Sequence, residues 1–419
     1  MGAWLHRGWP YRRRCDADGD AGAAPLQGPL GAVSPRGIHT AYYVAHTAKS
    51  LLWTASDLVT IYALVKLHGL DPGFAGWIFL IGLAMNALAD LAVGAWLDRH
   101  PEGTPRLAGA GLAIAALAFP LTVLAAPLGW SALLAATFVF RIGYAAYDVP
   151  HNALLSQLAK DARATTRLSR GRTLGTGAAA AAVGLGLHLI DGAAGIAWLL
   201  WGLSTAALLG GMALLPLLVR SPAAQRSSAM AAGPGLPWRF LTASLLGIVA
   251  LGAFAKGVLH LPATVSHAGV GMTLILLTAG RTAAALLPLR FIDARRGLLL
   301  LAAWYLGAAM FVVPLLRLGG WMLPLGLGLM LGMTNLIGWA LLPLLARGAR
   351  SYGLYTMASK LALGAAGLAM TATLGRGTTF AADGLYMLIA SVILACAAAA
   401  ILLVMPRLTG RSSAGGRRG

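Results

Sequence analysis

The sequence predicts an all-α membrane protein whose twelve transmembrane helices form two six-helix halves. Three observations predict this class. First, 58% of the 419 residues are hydrophobic and only 11% are charged, whereas a soluble domain carries about 25% charged residues. Second, twelve apolar stretches approach the ~20 residues that a spanning helix needs: roughly 40–65, 74–97, 107–127, 130–158, 172–190, 194–219, 238–260, 267–289, 297–316, 321–346, 353–375 and 382–405. Third, a polar stretch at 220–237, with Arg220, Ser221, Pro222, Gln225, Arg226 and Pro234, parts six of these from the other six.

Residues 1–38 are polar and rich in Arg (Arg7, Arg12, Arg13, Arg14). They lack the apolar core of a signal peptide and are expected to form a disordered basic cytoplasmic tail. The expected division is then 39–219 for the N-terminal half, 220–237 for a cytoplasmic linker, 238–406 for the C-terminal half and 407–419 for a second tail. The fifth span is expected to start behind a basic turn carrying Lys160, Asp161, Arg163, Arg167, Arg170 and Arg172. Trp130, Trp198, Trp238 and Trp321, near span ends, fit anchoring at the lipid–water interface.

The formal net charge of +19 invites a nucleic-acid reading, but its distribution argues against one. Arg99 and Arg106, the 163–172 cluster, Arg220 to Arg239, Arg290 to Arg296, and Arg347 with Arg350 all fall at alternate span ends, on one side. The opposite side holds Lys66, Arg317 and Arg376. This bias places both termini in the cytoplasm and the chain in the cytoplasmic membrane. Six spans, a basic linker and six more spans are the layout of major facilitator transporters, whose halves surround a midplane site. Cys15 and Cys396 are too few and too far apart for a disulfide framework or a metal site. No phosphate loop, metal-ligand cluster or nucleophile motif is present, so the chain is not expected to be an enzyme. The partners expected are a small-molecule solute and the lipid bilayer, with no cofactor beyond a coupling ion, and the carrier is expected to be monomeric.

Function is written in the charges left inside the spans: Lys49, Asp57, Asp90, Arg141, Asp148, Lys256, Arg281 and Lys360. Each costs roughly 3 kcal/mol to insert and marks an ion or substrate path by default. Together they would exceed the ~5–15 kcal/mol of net stability of a fold, so they must pair, snorkel or line water.

Three runs carry a resemblance. Gly69-Leu70-Asp71-Pro72, Asn86 to Asp90 and Gly94-Ala95-Trp96-Leu97-Asp98-Arg99 form the first. Tyr147-Asp148-Val149-Pro150-His151-Asn152, with Asp161, Arg163, Thr166-Arg167-Leu168-Ser169 and Arg172, forms the second. Gly353-Leu354-Tyr355-Thr356-Met357-Ala358-Ser359-Lys360 forms the third. They resemble spans I–II, IV–V and XI of the glycoside–pentoside–hexuronide:cation symporters, the melibiose permease family. The resemblance implies alternating access, a cation site at Asn86, Asp90 and Asp148, and a substrate site at Lys49, Tyr144, Asp148, Asn152, Arg172, Thr356 and Lys360.

Departures from that family's pattern shape the expectation. Asn86 stands where the family has the first of two acids one turn apart. An amide supplies no charge, which favours proton over sodium coupling, because a lone desolvated carboxyl can carry a proton. Ser50 replaces an acid beside Lys49, and Asn152 replaces an aromatic platform. The surplus of Lys49, Arg172 and Lys360 over Asp148 suits an anionic or zwitterionic solute as well as a sugar-like one. The leading expectation is a proton- or sodium-coupled symporter of a small polar solute. An exporter or uniporter of an amphipathic or lipid-like solute keeps the same fold. A non-transporting membrane scaffold or sensor is the alternative of another class.

Overall fold

The computed structural model describes residues 35–159, 161–190, 192–219, 235–258, 270–287, 289, 293–318, 320–346, 348–374 and 389–405. Most of the first tail, most of the 220–237 linker, and the second tail lie outside these residues. The long helices are α1 (Pro35–Lys66), α2 (Pro72–Arg99), α3 (Thr104–Ala118), α4 (Trp130–Leu158), α5 (Ala162–Leu189) and α6 (Gly192–Gly211). They continue with α7 (Trp238–Val258), α8 (Val270–Leu286), α9 (Ala294–Leu318), α10 (Met322–Leu345) and α11 (Ala349–Leu374), and α12 (Ile389–Met405) completes them.

Local chemistry sets the helix starts. Asp71 accepts the backbone N–H of Phe74 at 2.9 Å, and Pro72 fills the first helical position of α2. Asp161 caps α5 by accepting from Ala164 at 2.7 Å. Asp293 does the same for α9 through Arg296 at 2.8 Å. This cap corrects the expected basic turn: α5 begins at Ala162, not near 172. Arg163 and Arg167 are exposed on its first turns, Arg170 is half-buried and Arg172 is buried. Arg side chains favour helix as much as Leu does, so the charge cluster did not mark a loop.

By length and apolarity alone, α2, the Pro101–Leu124 stretch, α4, Gly192–Val219, Trp238–Ala255 and α10 qualify as spans among the described residues. Helices α1, α5 and α11, which with α2 and α4 carry buried polar side chains, do not. Large apolar side chains point outward from the bundle, among them Leu88, Trp198, Leu209 and Met310. A surface of that kind suits lipid rather than water.

Two seams join the halves. Along α2 and α11, Gly94 lies against the Ala349 carbonyl, Gly353 against the Asp90 carbonyl, and Gly367 against the Phe79 ring. Along α5 and α8, Gly177 meets Thr282, and Gly184 meets Leu274 and Ile275. The end where α2, α4 and α10 finish is the basic end, and there one apolar core crosses between the halves. It contains Tyr42, Leu155 and Leu168 together with Ile337, Leu341 and Tyr352. Toward the other end the packing separates into an N-terminal cluster around Leu52, Phe119, Phe140 and Leu200 and a C-terminal one around Phe254, Leu277, Leu323 and Leu327.

Polar contacts reinforce the basic end. Asp98 on α2 accepts the backbone N–H groups of Ala349 at 2.8 Å and Arg350 at 3.1 Å, capping α11 from the other half of the chain. The Arg170 Nη2 donates to the carbonyls of Leu287 at 2.6 Å and Leu289 at 3.4 Å, just past the end of α8. An acid at a helix N-terminus and a cation at a C-terminus both suit the helix dipole.

Candidate functional site

Between the halves lies a cavity of about 210 Å³. Its polar wall is built from side chains that single turns of helix bring to one face. On α4, Asp148 and Asn152 stand one turn apart, and the Asn152 Nδ2 donates to Asp148 Oδ1 at 3.0 Å. From α1 the Lys49 Nζ donates to Asp148 Oδ1 and, at 2.7 Å, to Asn152 Oδ1. From α5 the Arg172 Nη2 reaches the same Asn152 oxygen at 3.0 Å, while its Nη1 donates to the Tyr42 hydroxyl at 2.8 Å. From α11 the Lys360 Nζ donates to Asp90 on α2, at 2.6 Å to Oδ2 and 2.8 Å to Oδ1. It also donates to Asp148 Oδ2 at 3.4 Å.

Five helices thus converge on one unbroken polar chain, Asp90–Lys360–Asp148–Lys49–Asn152–Arg172–Tyr42. Every member is buried, none more than 5% exposed. An isolated charge at such depth would be several kcal/mol uphill, and pairing with further hydrogen bonds is what offsets that. Aromatic faces complete the enclosure. The Arg172 guanidinium lies 3.9 Å from the Trp339 ring centroid. The Lys360 ammonium lies 5.5 Å from Trp53 and 5.3 Å from Tyr144, distances at which a cation gains from a ring face.

Of the residues singled out from the sequence, Lys49, Asp90, Asp148, Asn152, Arg172 and Lys360 therefore meet in one network. Tyr144 and Thr356 border the cavity. The Thr356 hydroxyl donates to its own helix at the Tyr352 carbonyl, 3.0 Å away. Asn86 stands behind the network: its Nδ2 donates to the Arg141 carbonyl at 2.9 Å and only distantly, at 3.5 Å, to Asp90. Neither Asn86 nor Asp90 lines the cavity itself. Arg141 is buried among the rings of Trp53, Phe79 and Phe140, 5.1–5.7 Å from their centroids. Asp57 and Arg281 line the cavity beyond Trp53. The side chain of Lys256 lies outside the described residues.

Three site residues escaped the sequence reading: Tyr42, His46 and Trp339. Tyr42, His46 and Lys49 stand at helical spacing i, i+4, i+7, and His151 follows Asp148 by three, so the periodicity held the signal. Trp53 and Trp339, from two other helices, bring aromatic faces to the cavity.

No protein-family model matches the chain, and no curated protein matches it. Solved structures do. A bacterial homologue of the iron transporter ferroportin, in an outward-facing state with soaked iron, is 16% identical with a TM-score of 0.61, over 87% of this chain and 98% of that one. The proton:xylose symporter XylE is 12% identical with a TM-score of 0.60, over 89% and 96%. The human organic anion transporter MFSD10 is 16% identical with a TM-score of 0.56, over 90% and 99%. Likeness at such low identity speaks to architecture alone, and by it the chain has the major facilitator fold.

Proposed function

We propose that the chain is a secondary active transporter that carries a small anionic or sugar-like solute by alternating access, coupled to a cation. One observation carries the reading. Arg172 is buried at the cavity wall, and the hydrogen bonds of its fork go to two neutral acceptors, Tyr42 and Asn152. Lys49, Arg172, Arg281 and Lys360 line the cavity against Asp57 and Asp148, and Asp90 behind Lys360 leaves the surplus positive. A carboxylate or similar anion entering the cavity supplies the missing charge, and a guanidinium fork matches its geometry. The resemblance to the melibiose permease family at Asp90, Asp148, Arg172 and Lys360 supports a cation-coupled carrier. The positive-inside bias puts the basic end in the cytoplasm, so the cavity faces the other side.

The coupling ion we propose is a proton, taken up through Asp90 and Asp148. The Lys360 ammonium already sits between the two carboxylates, which leaves a sodium ion no unshared carboxylate. A proton needs no such shell, and adding one to either acid shifts Lys360 toward the other. A second reading, an exporter or uniporter of an amphipathic anion, draws support from the apolar far wall formed by Leu58, Leu251, Leu274, Leu331 and Leu363.

The test is a thermal-shift screen of purified protein against sugars, glucuronate, succinate and sulfate, with and without sodium, followed by uptake into proteoliposomes. Anions should stabilise the protein, and Lys360→Ala should weaken that effect. A pH gradient should drive uptake, and Asp148→Asn should abolish gradient-driven uptake. Wild-type uptake by Asp148→Asn would remove the coupling scheme. Counterflow that ignores the pH gradient would favour the uniporter.

A further inference from the structure

Beside the lysine–aspartate network stands a pair of buried histidines that the scheme above does not use. His46 on α1 is 5% exposed and borders the cavity, and His151 on α4 is fully buried. Their rings lie 5.2 Å apart, and His151 also stacks on Tyr42 at 4.6 Å. The His151 Nε2 lies 3.4 Å from the Tyr42 carbonyl, an acceptor only, so Nε2 carries the hydrogen. Its Nδ1 is then a bare lone pair, and no hydrogen-bond partner meets it among the described residues. The His46 Nε2 contacts the hydroxyls of Thr176 at 3.1 Å and Ser50 at 3.5 Å, and its Nδ1 likewise has no hydrogen-bond partner among the described residues.

We infer that the His46–His151 pair is a protonation site filled together with the solute anion. The argument rests on the anion reading proposed above and adds where a proton goes. Facing the pair are Tyr42 and Lys49 from α1, Asp148 from α4 and Arg172 from α5. Tyr352 of α11 lies near Tyr42 and Arg172. A proton on either ring would join Lys49 and Arg172 in one buried positive cluster, with Asp148 already shared by two lysines. An anion against Arg172 relieves that repulsion, so each ligand raises the affinity for the other, and by equal factors. Imidazole is the side chain whose unperturbed charge change falls in the physiological range, and the anion is what brings that change within reach here. Entry through His46, which borders the cavity, gives the proton a route to the enclosed ring of His151.

The experiment measures the affinity of the purified full-length protein for glucuronate and for sulfate, both ionised throughout, at about pH 6 and about pH 8. Wild type should bind about tenfold tighter or more at the lower pH, with proton uptake from weakly buffered solution. His46→Gln and His151→Gln should each still bind, with that pH dependence lost or halved. Gel filtration and circular dichroism establish that each variant is folded, and one folded variant suffices. Failure of both anions to bind wild type would overturn the anion reading and this inference with it. Binding to wild type with equal affinity at both pH values would overturn the inference alone. So would a full pH dependence in a folded histidine variant, which would assign it to the carboxylates alone.

Discussion

Lys360 is the ammonium that links the two acids, since it bonds Asp90 through both oxygens and also reaches Asp148. Replacing it with Met leaves Asp90, fully buried, without its counter-charge, at about 3–5 kcal/mol. Asp90→Asn removes the nearer of the two carboxylates that Lys360 bonds and leaves it Asp148 at 3.4 Å. The double variant Asp90→Asn/Lys360→Met should recover most of the loss, read as the unfolding midpoint in detergent. A double no more stable than either single would mean the two do not interact as the geometry requires. The sequence made the charges themselves plain, because an ionised side chain in an apolar run stands out. Their pairing was hidden, because Asp90 and Lys360 are 270 residues apart and only the packed bundle brings them together. Asn152 shows the limit most clearly: as a residue type it looked like a missing sugar platform, and in place it joins Lys49 to Arg172.

Helices α8 and α10 meet backbone to backbone. A methyl group on Gly280 would fall on the Leu325 carbonyl, and one on Gly328 on the Leu277 carbonyl. Gly280→Ala and Gly328→Ala should each destabilise by about 1–3 kcal/mol, because backbone cannot yield as a side-chain tip does. Gly307→Ala on α9 is the control. Nothing lies within 4 Å of its added methyl, so the helix propensity of Ala should leave stability unchanged or raise it by up to about 1 kcal/mol. Equal behaviour of the three variants would show that the α8–α10 contact is looser than described. With 54 glycines in the chain, small-residue spacings recur everywhere, and no sequence pattern distinguishes Gly280 from Gly307. The start of α5 was misread for a related reason: a run of arginines suggests a loop, but the Asp161 cap and the helix-favouring side chains decide otherwise.

At the scale of the whole molecule, twelve spans in two sets of six were legible because hydropathy and charge bias act over tens of residues. Which end is closed was not, since that is a difference between two packings of one sequence. Here the basic end is shut by an apolar core common to both halves and by two helix-end contacts, Asp98 on α11 and Arg170 past α8. The alternating access proposed above requires these to part when the cavity closes on its other side. Removing a cap costs about 1 kcal/mol, so Asp98→Ala should move the balance toward an open basic end by about fivefold. A reporter cysteine, Ser156→Cys on α4 beside Asp98, placed in a background of Cys15→Ser and Cys396→Ser, reads this out. Its labelling by a membrane-impermeant maleimide applied at the basic end should quicken by a similar factor in Asp98→Ala. Asp98→Asn, which keeps a side-chain oxygen for the Ala349 N–H, should fall between the two. Unchanged labelling in Asp98→Ala, with Arg170→Ala also silent, would mean that the apolar core alone holds the gate. The Asp98 and Arg170 contacts would then accompany closure without favouring it.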